Sequence, residues 1–162
     1  GAISERRIHY FMKGAEGRFN PFLAKNPGLE SGYMLAHVTA SALVSENKTL
    51  AHPASVDSIP TSGGQEDLVS MAPWSGLKLL KIQENVFTIL AIELLIAGAA
   101  FKLNSKGLKP AYGTGLLLKE INDVVLYNNG DRELSTEINN LKNIIMDRKI
   151  FKKLKNKNYL EC

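Results

Sequence analysis

The sequence predicts an all-α protein of about five helices of the long, bundle-forming kind, interrupted by one long ordered loop at 46–72. Three observations carry that prediction. Apolar residues recur at i, i+3 or i+4 in several separate segments, which is helical spacing. Nowhere does strict apolar–polar alternation run far enough for a convincing strand. The stretch Ser45–Met71 holds Pro53, Pro60, the adjacent Gly63 and Gly64 and four carboxylates, with hardly any periodic pattern, while helical segments flank it on both sides. A connection of that length is uncommon in a compact domain unless it is functional or disordered. Its composition is not Ser/Gly/Glu low complexity, so an ordered loop with a task is expected.

The elements follow in order. Gly1–Lys13 reads as a helix with Ile3, Ile8 and Phe11 on its apolar side. Gly14–Glu30, with three glycines and two prolines, reads as a loop. A helix is expected from about Ser31 to Ser45, lined on one face by Met34, Val38 and Ala42. After the long loop a helix runs from about Pro73 to Leu103. Its first part is amphipathic through Leu79, Ile82, Val86 and Ile89, and its second part, Val86–Phe101, is apolar nearly all round. A helix without a polar face is normally buried on every side, so other chains are expected to cover this one. Glu93 interrupts the apolar run, which is shorter than the roughly 18–20 residues of a bilayer span, so a buried helix rather than a membrane helix is expected. Asn104–Gly113 is a Lys/Gly/Pro linker. Helices at about Thr114–Tyr127 (Leu117, Ile121, Val124) and Ser135–Lys149 (Ile138, Leu141, Ile145) close the pattern, separated by an Asn128-Asn129-Gly130 turn.

Composition bounds the function classes. The 162 residues suffice for one domain with a real core, and 44% apolar with 22% charged residues is ordinary for a globular chain. The sole cysteine, Cys162, excludes an internal disulfide framework and a Cys-rich zinc site, which fits a reducing, cytoplasmic setting. No basic-then-apolar leader opens these residues, so nothing in them points to export. The net charge of +4 is concentrated in Arg148–Lys157, read as a solvated end rather than a nucleic-acid site because no aromatic residues interleave as a stacking platform requires. Neither a nucleic-acid partner nor a membrane is expected.

The strongest chemical cluster is Gln65-Glu66-Asp67, where the Gly63-Gly64 segment stiffens towards a helix. Asp67 is suited to capping that turn, since a carboxylate accepts backbone N–H bonds there, which leaves Glu66 to point elsewhere. On residue type alone Glu66 is a surface carboxylate. His9, His37 and His52 lie far apart with no metal-like spacing, so no metal site is expected. His52 reads as a structural loop histidine. Gly113-Thr114-Gly115 lacks both a preceding strand and the Lys-Ser/Thr of a phosphate loop.

The phrases SENK (45–48), HPASVDSIPTS (52–62) and QEDLVSM (65–71) closely resemble the C-terminal active-site segment of the histidine ammonia-lyases, in the aromatic amino-acid lyase family. The resemblance runs from Ala2 to about Met146 and corresponds to about the last third of such an enzyme. It implies the ammonia-lyase-type helical bundle, with residues 1–162 as its C-terminal helical portion. The implied reaction of the complete enzyme is elimination of ammonia from L-histidine to give trans-urocanate, in histidine catabolism. The resemblance places Glu66 in the active site facing the substrate, with Gln65 beside it. Phenylalanine and tyrosine lyases look like Asn-Gln-Asp there, and a carboxylate suits an imidazole where it offers a phenyl ring nothing. Met34 and Val38 align where plant phenylalanine lyases carry Lys and Ile, and Ser62 where they carry a further Glu. Met34 and Val38 are therefore expected to form the apolar wall of the substrate pocket.

The family's electrophile, 4-methylidene-imidazol-5-one, forms from an internal Ala-Ser-Gly. No such tripeptide occurs here, so the resemblance implies that the N-terminal part of the lyase supplies it, and that this chain alone is inactive. It also implies a homotetramer of the complete enzyme acting on a small amino-acid substrate. Two departures stand out: Gly63-Gly64 replaces a small residue followed by Asn, and Leu68 stands where His is common. Alternative readings are a lyase or aminomutase for another aromatic amino acid, and a non-catalytic helical scaffold or partner subunit of a split lyase.

Overall fold

A computed structural model describes residues 1–104, 107–127 and 130–155. Among them are six α-helices and no strand: α1 (Ala2–Met12), α2 (Met34–Leu50), α3 (Ala72–Asn104), α4 (Tyr112–Asn122), α5 (Ser135–Met146) and α6 (Lys149–Lys155). Asn128, Asn129 and the residues beyond Lys155, Cys162 included, lie outside the described residues.

The 33-residue α3 is the axis of the fold, and α1, α2 and α5 pack along it, with α4 closing its C-terminal end. The core forms where these helices meet. Ile8 and Met12 of α1, Ala36 and Ala40 of α2, Ile92, Leu95, Ile96 and Ala99 of α3, Ile121 of α4 and Leu141 and Ile144 of α5 are all buried together. Each large apolar side chain removed from water in this way stabilises the fold by about 1.5–3 kcal/mol. Small residues at Ala36, Ala40, Ala91 and Ala99 let the helix axes approach closely.

Several expected faces shift. On α1 the buried row is Ser4, Ile8 and Met12, at i, i+4 and i+8, and Ile3 is 71% exposed. The α2 helix turns Tyr33, Ala36 and Ala40 inward, so the Met34–Val38–Ala42 row is not its core face: Met34 is half-buried, and Val38 and Ala42 are exposed. α2 also runs on to Leu50, so the loop begins after residue 50 rather than at 46, and the SENK phrase is helical. Lys, Asn, Glu and Ser carry no helix-breaking geometry, which leaves nothing to stop the helix before Ala51.

α3 carries the largest correction. Val86–Phe101 was expected to need other chains for cover, yet Ile89, Ala91, Ile92, Leu95 and Ile96 are fully buried by α1, α2, α4 and α5 of the same chain. The bare apolar surface lies in the first turns instead, where Trp74, Leu77, Leu79 and Leu80 are each about 60% exposed. By length and composition alone Ala72–Leu103 is long and apolar enough to cross a membrane. Its packing is that of a core helix: the buried side chains above are interleaved with Glu93, which is ion-paired to Arg7 of α1 at 2.9 Å.

The C-terminal helices are also tied in more firmly than a solvated end would be. Lys149–Lys155 forms a sixth helix against α4 and α5, and Lys153 pairs with Glu120. Between α4 and α5, Asp131 accepts hydrogen bonds from the backbone N–H of Ser31 (2.9 Å) and Gly32 (2.8 Å). Arg132 makes a two-pronged pair with Glu137 (Nε–Oε1 3.1 Å, Nη2–Oε2 2.9 Å) and lies over the Tyr33 ring. Glu137 also accepts from the Leu126 N–H at 3.1 Å, so its buried carboxylate is fully occupied. Such charge-assisted, forked contacts hold the loop entering α2 against the segment entering α5.

Candidate active site

The segment between α2 and α3, residues 51–71, is a closed loop rather than a loose one. At its base Lys78 of α3 donates to the His52 carbonyl, and the Ser58 hydroxyl accepts from the Val69 N–H at 2.9 Å. Ala54, in a short 3-10 turn, is buried against α3. His52 thus contributes its backbone carbonyl to the base of the loop and is itself exposed. The turn into α3 is held by Ser70, whose hydroxyl accepts from the Ala72 N–H at 3.3 Å, so the cap expected of Asp67 falls to Ser70.

The tip of the loop is a tight reversal over Thr61–Glu66. Thr61 and Glu66 face each other through two backbone hydrogen bonds, Thr61 N–H to Glu66 O at 3.0 Å and Glu66 N–H to Thr61 O at 3.4 Å. Three consecutive residues between them, Ser62, Gly63 and Gly64, adopt left-handed backbone with φ of 56°, 65° and 88°. Two glycines in succession make that run accessible, which gives the Gly63-Gly64 departure a physical purpose.

Glu66 is the residue this reversal fixes. Thr61 donates its hydroxyl to Glu66 Oε2 at 2.7 Å, and Ser62 lies at 3.5 Å from the same oxygen. The side chain is exposed, and Oε1 receives no hydrogen bond among the described residues. One oxygen therefore anchors the carboxylate while the other stands open to accept from an incoming N–H donor. Gln65, next to it, is exposed and donates its N–H to the Ser62 carbonyl at 3.3 Å. Met34 and Val38 lie one turn apart on the outward face of α2, with Val38 55% exposed. They form an apolar patch outside the chain's own core. No hydrogen bond or ion pair among the described residues joins that patch to the loop tip.

Two polar clusters went unread in the sequence because their members are distant along the chain. The first joins α1 to α2. Glu5 Oε1 lies 3.0 Å from His37 Nε2 and accepts from the Ser41 hydroxyl at 3.3 Å, and the His9 ring sits 5.5 Å from the His37 ring. Burial works to raise the Glu5 pKa, but the hydrogen bonds from His37 and Ser41 and the nearby histidine charge outweigh it and leave it lowered. The i, i+4 spacing of Glu5 and His9 was the one available signal. The second surrounds Tyr127, whose hydroxyl is buried without a hydrogen-bond partner and whose pKa burial pushes up to about 12. It lies beside Tyr33, Arg132 and Lys102 at a cavity of about 230 Å³.

The sequence and the helical fold have counterparts in known proteins. A histidine ammonia-lyase from Shewanella oneidensis is 46% identical over 138 residues, which cover 85% of this chain and 27% of that protein. The crystal structure of histidine ammonia-lyase from Trypanosoma cruzi superposes with a TM-score of 0.90 at 41% identity, covering 99% of this chain and 31% of that one. Tyrosine aminomutase from Streptomyces globisporus superposes nearly as well, with a TM-score of 0.89, but at 25% identity over 99% of this chain and 31% of its own. The chain thus spans between a quarter and a third of the length of these relatives. A sequence model of the family described as aromatic amino acid lyase matches residues 1–123, about three quarters of the 162 residues, and the chain belongs to the aromatic amino acid lyase family.

Proposed function

We propose that this chain is the C-terminal portion of a histidine ammonia-lyase, and that in the complete, cytoplasmic enzyme Glu66 accepts a hydrogen bond from the substrate imidazole or holds its imidazolium. The observation that carries the reading is the half-occupied Glu66 carboxylate: Oε2 is anchored by Thr61 at 2.7 Å, and Oε1 is open at the tip of a tethered loop. A carboxylate held this way selects for a ring bearing N–H donors. Gln65 flanks the same ligand, and Met34 and Val38, outside the core of this chain, supply apolar wall to a pocket completed by other segments.

The chemistry of elimination would come from 4-methylidene-imidazol-5-one, an electrophile formed from Ala-Ser-Gly. The 162 residues contain no such tripeptide, so no residue here is assigned to hold or form it, and this chain's part is to bind and orient substrate. The likeness in sequence supports histidine over the aminomutase reading: the two solved folds superpose almost equally, and identity falls from 41% to 25%.

The test is kinetic, on the complete enzyme. Glu66→Gln keeps size and removes charge, and Glu66→Ala removes the acceptor. Loss of a charge-assisted hydrogen bond of about 1.5–3 kcal/mol predicts a fall of roughly ten- to a hundredfold in kcat/KM on histidine, with an unchanged helical circular-dichroism spectrum. A surface residue would change by about 0.5 kcal/mol or less, and that result would remove Glu66 from the site. Turnover of phenylalanine or tyrosine, with none of histidine, would overturn the substrate assignment.

A further inference from the structure

We propose that Glu5, His9 and His37 form a binding site for a single divalent transition-metal ion of the zinc class, clamping α1 to α2. Glu5 and His9 stand at i and i+4 on α1 and so project from one face. His37 enters from α2, with Ser41 one turn further along the same helix. One ligand atom from each of Glu5, His9 and His37 lies within 4.8 Å of the other two. Among the described residues no other group of three such side chains converges in this way.

The geometry is close to what an ion needs. Metal–ligand bonds of 2.0–2.2 Å in a tetrahedral site put the donor atoms roughly 3.3 Å apart. The Glu5–His37 pair, at 3.0 Å, is already near that span. The His9 and His37 rings are tilted at 54° rather than stacked, so their nitrogens can turn towards a common centre. His9 closes the remaining gap by side-chain rotation, which its partial exposure allows.

The donor set has a defined preference. Two imidazoles and one carboxylate suit zinc and its neighbours and do not suit magnesium or calcium, which take oxygen ligands. Three protein ligands leave a fourth position for water, and the Glu5 and His37 side chains keep 19% and 18% of their surface exposed, which gives an ion a way in. Ser41 donates to Glu5 Oε1 at 3.3 Å and orients the carboxylate, the kind of outer-shell support metal ligands carry.

His9 separates this proposal from a purely structural reading. A Glu5–His37–Ser41 hydrogen-bond network linking two helices is complete without it, and the His9 ring makes no hydrogen bond among the described residues. Three residues bind an ion together; only two are needed to join the helices.

The test is titration of the 162-residue chain with Zn²⁺ alone by calorimetry, and with Co²⁺ alone by visible absorption, near neutral pH in a non-coordinating buffer. One ion per chain is expected, with a tetrahedral cobalt spectrum and a rise in Tm that chelation reverses. His9→Ala breaks no hydrogen bond, so it should keep the fold and still weaken binding by more than the roughly ten- to hundredfold that loss of an outer-shell partner causes. His37→Ala and Glu5→Gln should do the same where circular dichroism shows them folded. His52→Ala, on the distant loop, should bind like the parent. Absence of saturable binding, binding that survives His9→Ala, or binding lost with His52→Ala would each overturn the proposal.

Discussion

Tyr127 and Gly98 show how one missing methyl shapes the fold. A Cβ at position 98 would stand 2.5 Å from the Tyr127 hydroxyl and 3.0 Å from Ile121 Cγ2. In an exposed helix Gly→Ala gains about 1 kcal/mol. Here overpacking should reverse the sign, and Gly98→Ala is expected to destabilise by about 1–3 kcal/mol in denaturant unfolding. Tyr127→Phe removes both the obstructing atom and an unpartnered hydroxyl, so it should be neutral to slightly stabilising and should make Gly98→Ala less costly in its background. The tyrosine also sets an alkaline limit. Burial raises its native pKa to about 12, above the unfolded value near 10. Its contribution to stability is therefore whole below about pH 10 and is lost as pH rises through about 12. Unfolding curves of Tyr127→Phe across that window should lack the parent's steepening. None of this was legible in the sequence, because Gly98 and Tyr127 belong to different elements and only packing makes them neighbours. Glu66 stood out only through the resemblance that Gln65-Glu66-Asp67 carries, since on residue type alone it is a surface carboxylate, and the structure adds that Thr61 donates to one of its oxygens with Ser62 3.5 Å from the same atom.

Helices whose periodicity is strong, such as α1 and α3, were read to within a residue or two, while which side of a helix faces inward was read poorly. The reason is visible on α2. Alanine carries a weak apolar signal, yet Ala36 and Ala40 are the buried row because small residues permit close approach to α3, and the larger Met34 and Val38 point away. The extent of α2 through Glu46 and Lys48 was masked by the expectation of a loop. What orients the start of α2 is Asp131, 100 residues away from Ser31. The backbone N–H bonds from Ser31 and Gly32 lower the Asp131 pKa. Its native value lies below the unfolded one near 4, so the clamp contributes above about pH 4 and is lost as pH falls through the lowered native value. The protection of the Ser31 and Gly32 amides, taken relative to their intrinsic exchange rate at each pH, should fall on acidification through that range, and Asp131→Asn should lower it at neutral pH. Unchanged exchange in the variant would show that the turn holds itself.

For the whole molecule, the sequence signalled that α3 needs more cover than short helices give, and it misplaced the need. The chain covers most of residues 89–100 itself and leaves Trp74, Leu77, Leu79 and Leu80 bare at the other end. A cluster of that kind on one helix end suits an association surface, and in the homotetramer that the resemblance implies other subunits would bury it. Leu77→Lys with Leu80→Lys should therefore shift the complete enzyme to smaller species in sedimentation while helicity is retained. A parent that sediments as a stable monomer at every concentration would refute the assembly. The latches on either side of α5 bear on how this molecule can be dissected. The family match stops at residue 123, yet Leu141 and Ile144 fill the core beside α3, and Asp131 and Arg132 reach back to Ser31, Gly32 and Tyr33. A chain excised at that border would lose one wall of its own interior, so the end of the family model's match is not an edge along which the protein can be cut, and the relatives run on past it, covering 85–99% of this chain.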